Sequence, residues 1–127
     1  MNVVDSSAWI EFLVDGPNAR WFAKAIEDVD TLLVPSVCLL EVYRWVLRRR
    51  GREAALQVAA AMRQGRVVDL DESLAIEAAE LSASLKLPLA DGIIYATARV
   101  HDALLWTQDP DFEGLESVRY RASGATS

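Results

Sequence analysis

The sequence predicts an α/β domain in which helices cover both faces of a mostly parallel five-stranded sheet. Two observations carry that expectation. Five short runs rich in β-branched and aliphatic residues alternate with segments of helical periodicity, an order that gives parallel strands joined by crossover helices. The chain has 127 residues, 52% of them hydrophobic, enough for one core, and holds neither a repeat nor a low-complexity linker. One domain over 1–122 is expected, with SGATS (123–127) as a frayed tail.

The elements follow in chain order. NVV (2–4) reads as a strand, SAWIEFL (7–13) and NARWFAKAIED (18–28) as helices, and TLLV (31–34) as the second strand. SVCLLEVYRWVLRRR (36–50) begins directly after Pro35 and is a long helix, with Gly51 just past its end. EAALQVAAAMRQ (53–64) carries alanines at 54, 55, 59, 60 and 61, which favour helix and permit close helix approach, and Gly65 ends it. RVVDL (66–70) is a strand, ESLAIEAAELSASLK (72–86) and DGIIYATARVHD (91–102) are helices, and ALLWT (103–107) and SVRY (117–120) complete the sheet. Trp9, Trp21, Trp45 and Trp106 are expected in the core, as large aromatics usually are.

Several chemistries are excluded. No apolar run approaches the roughly 18 residues of a membrane helix, and the N-terminus has no signal-peptide pattern, so a cytoplasmic protein without membrane contact is expected. Cys38 and His101 are the only residues of their types, which leaves no disulfide and no soft-metal ligand set. His101 lies ten residues beyond Asp91 on one helix, about 15 Å away, too far for a Ser–His–Asp arrangement with it. A receiver-type phosphoacceptor built on Asp69 would need a lysine after a late strand, whereas Lys24 and Lys86 lie on helices. No glycine-rich phosphate loop is present.

The acids form the pattern that needs explaining. Ligands of a parallel α/β sheet bind beyond the carboxyl ends of its strands. Asp5 follows the first strand, Glu41 lies early in the helix after the second, and Asp109 and Asp111 follow ALLWT. Each has a plainer reading. Asp5, Ser6 or Ser7 suits a helix cap, Asp109-Pro110-Asp111 a turn, and Asp91 a cap before GIIYATARV. Glu41 interrupts what reads as a buried helix, where an unpaired carboxylate costs several kcal/mol, and Arg44 is its ordinary intrahelical partner.

If the acids converge, any two of them about 4–5 Å apart repel by roughly 3–4 kcal/mol at an effective dielectric near 20. Either their pKa values rise or a cation sits among them, and an oxygen-only set selects magnesium or manganese. Metal-holding carboxylates without a phosphate loop point to phosphodiester hydrolysis. The charge distribution fits. Net charge is −6, yet RWVLRRRGR (44–52) packs five arginines into nine residues. Arg44, Arg48 and Arg49 stand where they could hold a phosphodiester backbone beside Glu41; a solvated helix end complementing the dipole is the plainer reading.

VVDSSAWIEF (3–12), the lone Glu41 and LADGIIYATARVHDALLWTQDPDF (89–112), in that order, resemble the PIN-domain ribonucleases, and among them the VapC toxins of bacterial toxin–antitoxin pairs. The resemblance runs from Val3 to about Leu115. It implies a three-layer α/β/α sandwich, with Asp5, Glu41, Asp91 and Asp109 as catalytic metal ligands, Asp111 as an auxiliary acid, and Thr107 and Ser7 as polar supports. It further implies magnesium- or manganese-dependent RNA cleavage by water, a homodimer, and silencing by a cognate antitoxin. Only the resemblance places Asp91 at the carboxyl edge. Helix 72–86 is expected to run away from that edge, so it would have to lie obliquely. Asp69, Asp71 and Glu72 could join the site on position alone, but the family pattern leaves them to turn and cap roles. The alternative from another class is a catalytically silent domain of the same fold that binds RNA or protein.

Overall fold

A computed structural model describes residues 1–124; positions 125–127 of the expected tail lie outside the described residues. The chain runs β1 (Asn2–Val4), α1 (Ser6–Leu13), α2 (Ala19–Ile26), β2 (Leu32–Pro35), α3 (Ser36–Arg50), α4 (Arg52–Met62), β3 (Arg66–Val68), α5 (Glu72–Leu85), α6 (Leu89–Val100), β4 (Leu104–Thr107) and β5 (Val118–Tyr120). Single turns of 3₁₀ helix cover Val29–Thr31 and Pro110–Phe112. The five strands form one sheet in the order β3-β2-β1-β4-β5, and each neighbouring pair is parallel. With its six flanking α-helices this is the α/β/α architecture the sequence predicts.

The core explains why such short strands hold. Val3, Val4, Leu33, Val34 and Leu105 from the three central strands are fully buried, and Phe22, Cys38, Val42, Ile94 and Phe112 pack with them. Runs apolar at successive positions suit strands covered on both faces. From β1 the chain goes first to β2 and β3 on one side, then crosses to β4 and β5 on the other. The switch point therefore lies between β1 and β4, where an open parallel sheet presents its ligand crevice.

Three expectations need correction. Helix α6 begins at Leu89 after Pro88, not at Asp91, because the proline sets the entry and the chain turns helical at once. Asp91 therefore lies inside the first turn and makes no cap hydrogen bond. Helix α3 is not a buried helix. Only Cys38, Val42 and Val46 are fully buried along it, a stripe of period four, while Leu40, Arg44, Leu47 and Arg48 face solvent.

The third correction concerns α5, which runs toward the carboxyl edge rather than away from it. Leu74 and Ala78 pack on Ala96, and Ser82 meets Gly92, so α5 and α6 are antiparallel. A Cβ on Gly92 would lie 2.7 Å from the Ser82 Cβ, so the helices close up only over glycine. That approach brings the first turn of α6, and Asp91 with it, to the crevice. All four tryptophans contribute to the core as expected: Trp9 and Trp106 are buried, and Trp21 and Trp45, half-buried, pack against it. Among the described residues no helix is long and apolar enough to cross a membrane.

Candidate active site

A cleft of about 470 Å³ opens at the carboxyl ends of β1 and β4, and Asp5, Glu41, Asp91 and Asp109 all line it. Asp5 leaves β1 and serves two roles at once. Its Oδ1 accepts the backbone N–H of Ala8 at 3.0 Å, capping α1, while the Thr107 hydroxyl donates to Oδ2 at 2.8 Å. The Ser7 hydroxyl adds contacts of 3.0 and 3.1 Å. With only 3% of its surface exposed, Asp5 has its pKa pushed up by burial to about 6, even though those hydrogen bonds pull it down.

Thr107 joins two segments. While donating to Asp5, its oxygen accepts the N–H of Asp109 at 2.9 Å. Asp109 Oδ1 in turn accepts the N–H of Asp111 at 2.9 Å, so the turn predicted at Asp109-Pro110-Asp111 is formed, and it aims both acids together. Asp91, Asp109 and Asp111 each place one carboxylate oxygen within 4.8 Å of the others. Asp111, expected as an auxiliary, is thus within reach of Asp91 and Asp109, whereas Asp5 and Glu41 line the cleft outside that group of three.

Glu41 does not pair with Arg44. Among the described residues the one ion pair is Arg99–Glu116, at 2.7 Å. Glu41 Oε1 instead accepts the Ser6 hydroxyl at 2.6 Å, a bond across thirty-five positions of chain that ties α3 to the start of α1. Asp91 has the least comfortable setting. Burial first, then the charges of Asp109, Asp5, Asp111 and Glu41, raise its pKa to about 7. Oxygen-only donors, three of them in mutual reach and one resisting ionisation, are a fit to a hard divalent cation such as magnesium or manganese. Cys38 lies buried close by, and burial, with Asp5, Glu41 and Asp91 nearby, holds its thiol protonated, so it adds no soft ligand.

Arg44, Arg48 and Arg49 line the same cleft. Asp69, Asp71 and Glu72 do not. Asp71 Oδ1 caps α5 through the Leu74 N–H at 2.8 Å, the Asp69 carbonyl accepts the Asp71 N–H at 3.1 Å, and both residues border a separate pocket that His101 shares. Glu72 is exposed in the first turn of α5. Two residues at the site escaped the sequence reading. Ser6, expected as a cap, holds Glu41 instead; Trp45, expected in the core, packs against it and also lines the cleft. Its position one helical turn after Glu41 was the available signal.

A family model described as PIN domain matches residues 3–117. A search of curated protein sequences finds no match. Among solved structures, a toxin–antitoxin complex from Klebsiella pneumoniae is similar, with a TM-score of 0.77 and 23% identity, over 94% of this chain and 96% of that one. VapC20 of Mycobacterium tuberculosis, described as a sarcin–ricin-loop-cleaving toxin, has a TM-score of 0.73 and 20% identity, over 91% of this chain and 95% of its own. DNA-bound VapBC from Salmonella typhimurium gives a TM-score of 0.72 and 18% identity, over 95% and 96% respectively. At these identities the likenesses establish the fold.

Proposed function

The chain belongs to the PIN-domain family, and from that premise we propose that it is a metal-dependent endoribonuclease, the toxin of a toxin–antitoxin pair. One observation carries the reading: three carboxylates from two segments converge within 4.8 Å at the sheet's switch point, and burial and mutual repulsion push Asp91 up to about 7. A catalytically silent binding domain has no use for so costly a cluster.

In this reading Asp5, Glu41, Asp91 and Asp109 hold one or two magnesium or manganese ions, with Asp111 in reach. Such an ion would make water a better nucleophile and offset charge developing on the phosphoryl oxygens. Thr107 and Ser7 fix the Asp5 carboxylate through their hydroxyls, and Ser6 fixes Glu41. Arg44, Arg48 and Arg49 draw the RNA backbone toward an otherwise acidic cleft. Water attacks phosphorus in line, the P–O3′ bond breaks, and the products carry a 3′-hydroxyl and a 5′-phosphate.

The partners follow the same family reading. Similar structures include toxin–antitoxin complexes, and exposed Leu40, Leu47 and Leu56 along a groove between α3 and α4 offer an antitoxin an apolar footing beside the site. A homodimer in the cytoplasm is the expected state of the free toxin.

The test is cleavage of RNA by the purified protein with and without magnesium, beside Asp5→Ala and Asp91→Asn. Loss of a transition-state interaction of this kind is expected to lower kcat by at least a hundredfold, roughly the loss from removing one oxyanion-hole donor elsewhere. Activity that survives both substitutions, or persists in excess chelator, refutes the mechanism.

A further inference from the structure

The acids and arginines account for a phosphate in the cleft, but not for the indole that shares it. Trp45 lines the cleft one helical turn beyond Glu41, and it is only half-buried. The Arg49 guanidinium lies over its ring, 4.2 Å from the centroid, and Arg49 lines the same cleft. Glu41, Trp45 and Arg49 therefore form a row at four-residue intervals along α3: an acid, an aromatic plate and a cationic plate.

We infer that Trp45, with Arg49 stacked on it, is the subsite for one unpaired nucleobase next to the cleaved phosphate. The inference rests on the ribonuclease reading and adds a determinant to it. Indole and guanidinium planes are both side-chain surfaces on which unpaired bases stack, and every base has a π-face to offer. Four residues of helix rise about 6 Å, comparable with the step between neighbouring phosphates of an extended single strand. A phosphate held beside Glu41 thus delivers its neighbouring base to Trp45. A base inside a duplex keeps its faces covered by its own stack, so the subsite selects single-stranded RNA or a loop. A protein side chain could also meet this indole, but it is a nucleic-acid strand that brings the phosphate the rest of the cleft is built to receive.

The experiment pairs the side chain with the base. A short unstructured RNA with a mapped cut site is prepared with one abasic nucleotide at each position flanking the cut. Wild-type protein in magnesium is expected to lose roughly ten- to a hundredfold in kcat/KM, mainly through KM, at one of those positions. Trp45→Ala is expected to lose as much on intact RNA and nothing further at that position, while Trp45→Phe keeps most of the activity. Additive losses, or no abasic-sensitive position, overturn the inference.

A second measurement stands apart from catalysis and from the folding of Trp45→Ala. In chelator, the same RNA should quench the tryptophan fluorescence of wild type but not of Trp45→Phe. Cleavage without quenching or coupling removes the subsite alone. Quenching without cleavage keeps the subsite and removes the nuclease, and no response in either assay removes both. RNA kinetics unmoved by Trp45→Ala would make Trp45 a protein contact instead.

Discussion

Asp91 is an acid that the folded chain would rather keep protonated. Its ordinary pKa of 3.8 applies in the unfolded chain, against about 7 in the fold. Between those values the native state binds the extra proton, so stability declines as pH rises from 3.8 to about 7 and stays at its lower level above. Asp5, raised to about 6 by burial, pulls in the same direction. Asp91→Asn removes the penalty along with the ligand. In the metal-free protein the variant is expected to be more stable than wild type by about 1–2 kcal/mol near pH 8, after allowing for screening at a half-exposed site. That is a rise of about 3–8 °C in Tm, shrinking near pH 5, where wild type already carries the proton. Magnesium should then stabilise wild type more than the variant. Thermal melts at both pH values, with and without the ion, check this; a variant less stable than wild type at the higher pH would refute it.

At the level of elements, the site depends on how closely α5 and α6 approach. Gly92 stands next to Asp91, and a Cβ there would lie 2.7 Å from the Ser82 Cβ and 3.1 Å from the Ala78 carbonyl oxygen. Gly92→Ala gains about 1 kcal/mol in helix propensity but forces the two helices apart, at about 1–3 kcal/mol for overpacking. A net loss of up to about 2 kcal/mol in urea unfolding is expected, with weaker magnesium binding because Asp91 moves with its helix. Unchanged magnesium binding would show that the helix contact does not position the acid. None of this was legible in the sequence. Alternation of apolar runs and helical patterns located all six helices and five strands, because burial demands those periodicities of the chain itself. The direction of α5 instead depends on contacts with α6 across space, Leu74 and Ala78 on Ala96 and Ser82 against Gly92, and an aspartate before an apolar run looks like a cap, which hides the true start of α6. The costly acids were legible; Ser6 was not, since its hydroxyl serves a carboxylate from a distant segment.

Over the whole molecule the charge is arranged against its total. A chain of net charge −6 should repel a polyanion, and four of its nineteen acids, Asp5, Glu41, Asp91 and Asp109, line the crevice at the sheet's switch point. Three of the five arginines of 44–52, Arg44, Arg48 and Arg49, line that crevice from α3, while Arg66 borders the pocket shared by Asp71 and His101. If RNA is drawn in locally, salt should weaken binding through the phosphates that the cleft arginines neutralise, about 0.7 in log K per tenfold salt for each one on a single strand. Arg44→Gln with Arg48→Gln is expected to flatten the salt dependence of kcat/KM, at subsaturating RNA and fixed magnesium, by about 1.4. Arg66→Gln changes net charge by the same unit as either substitution but should leave the slope unchanged. A flattening of about 0.7 in Arg66→Gln would mean that the molecule's total charge governs capture, not the placement of arginines on α3.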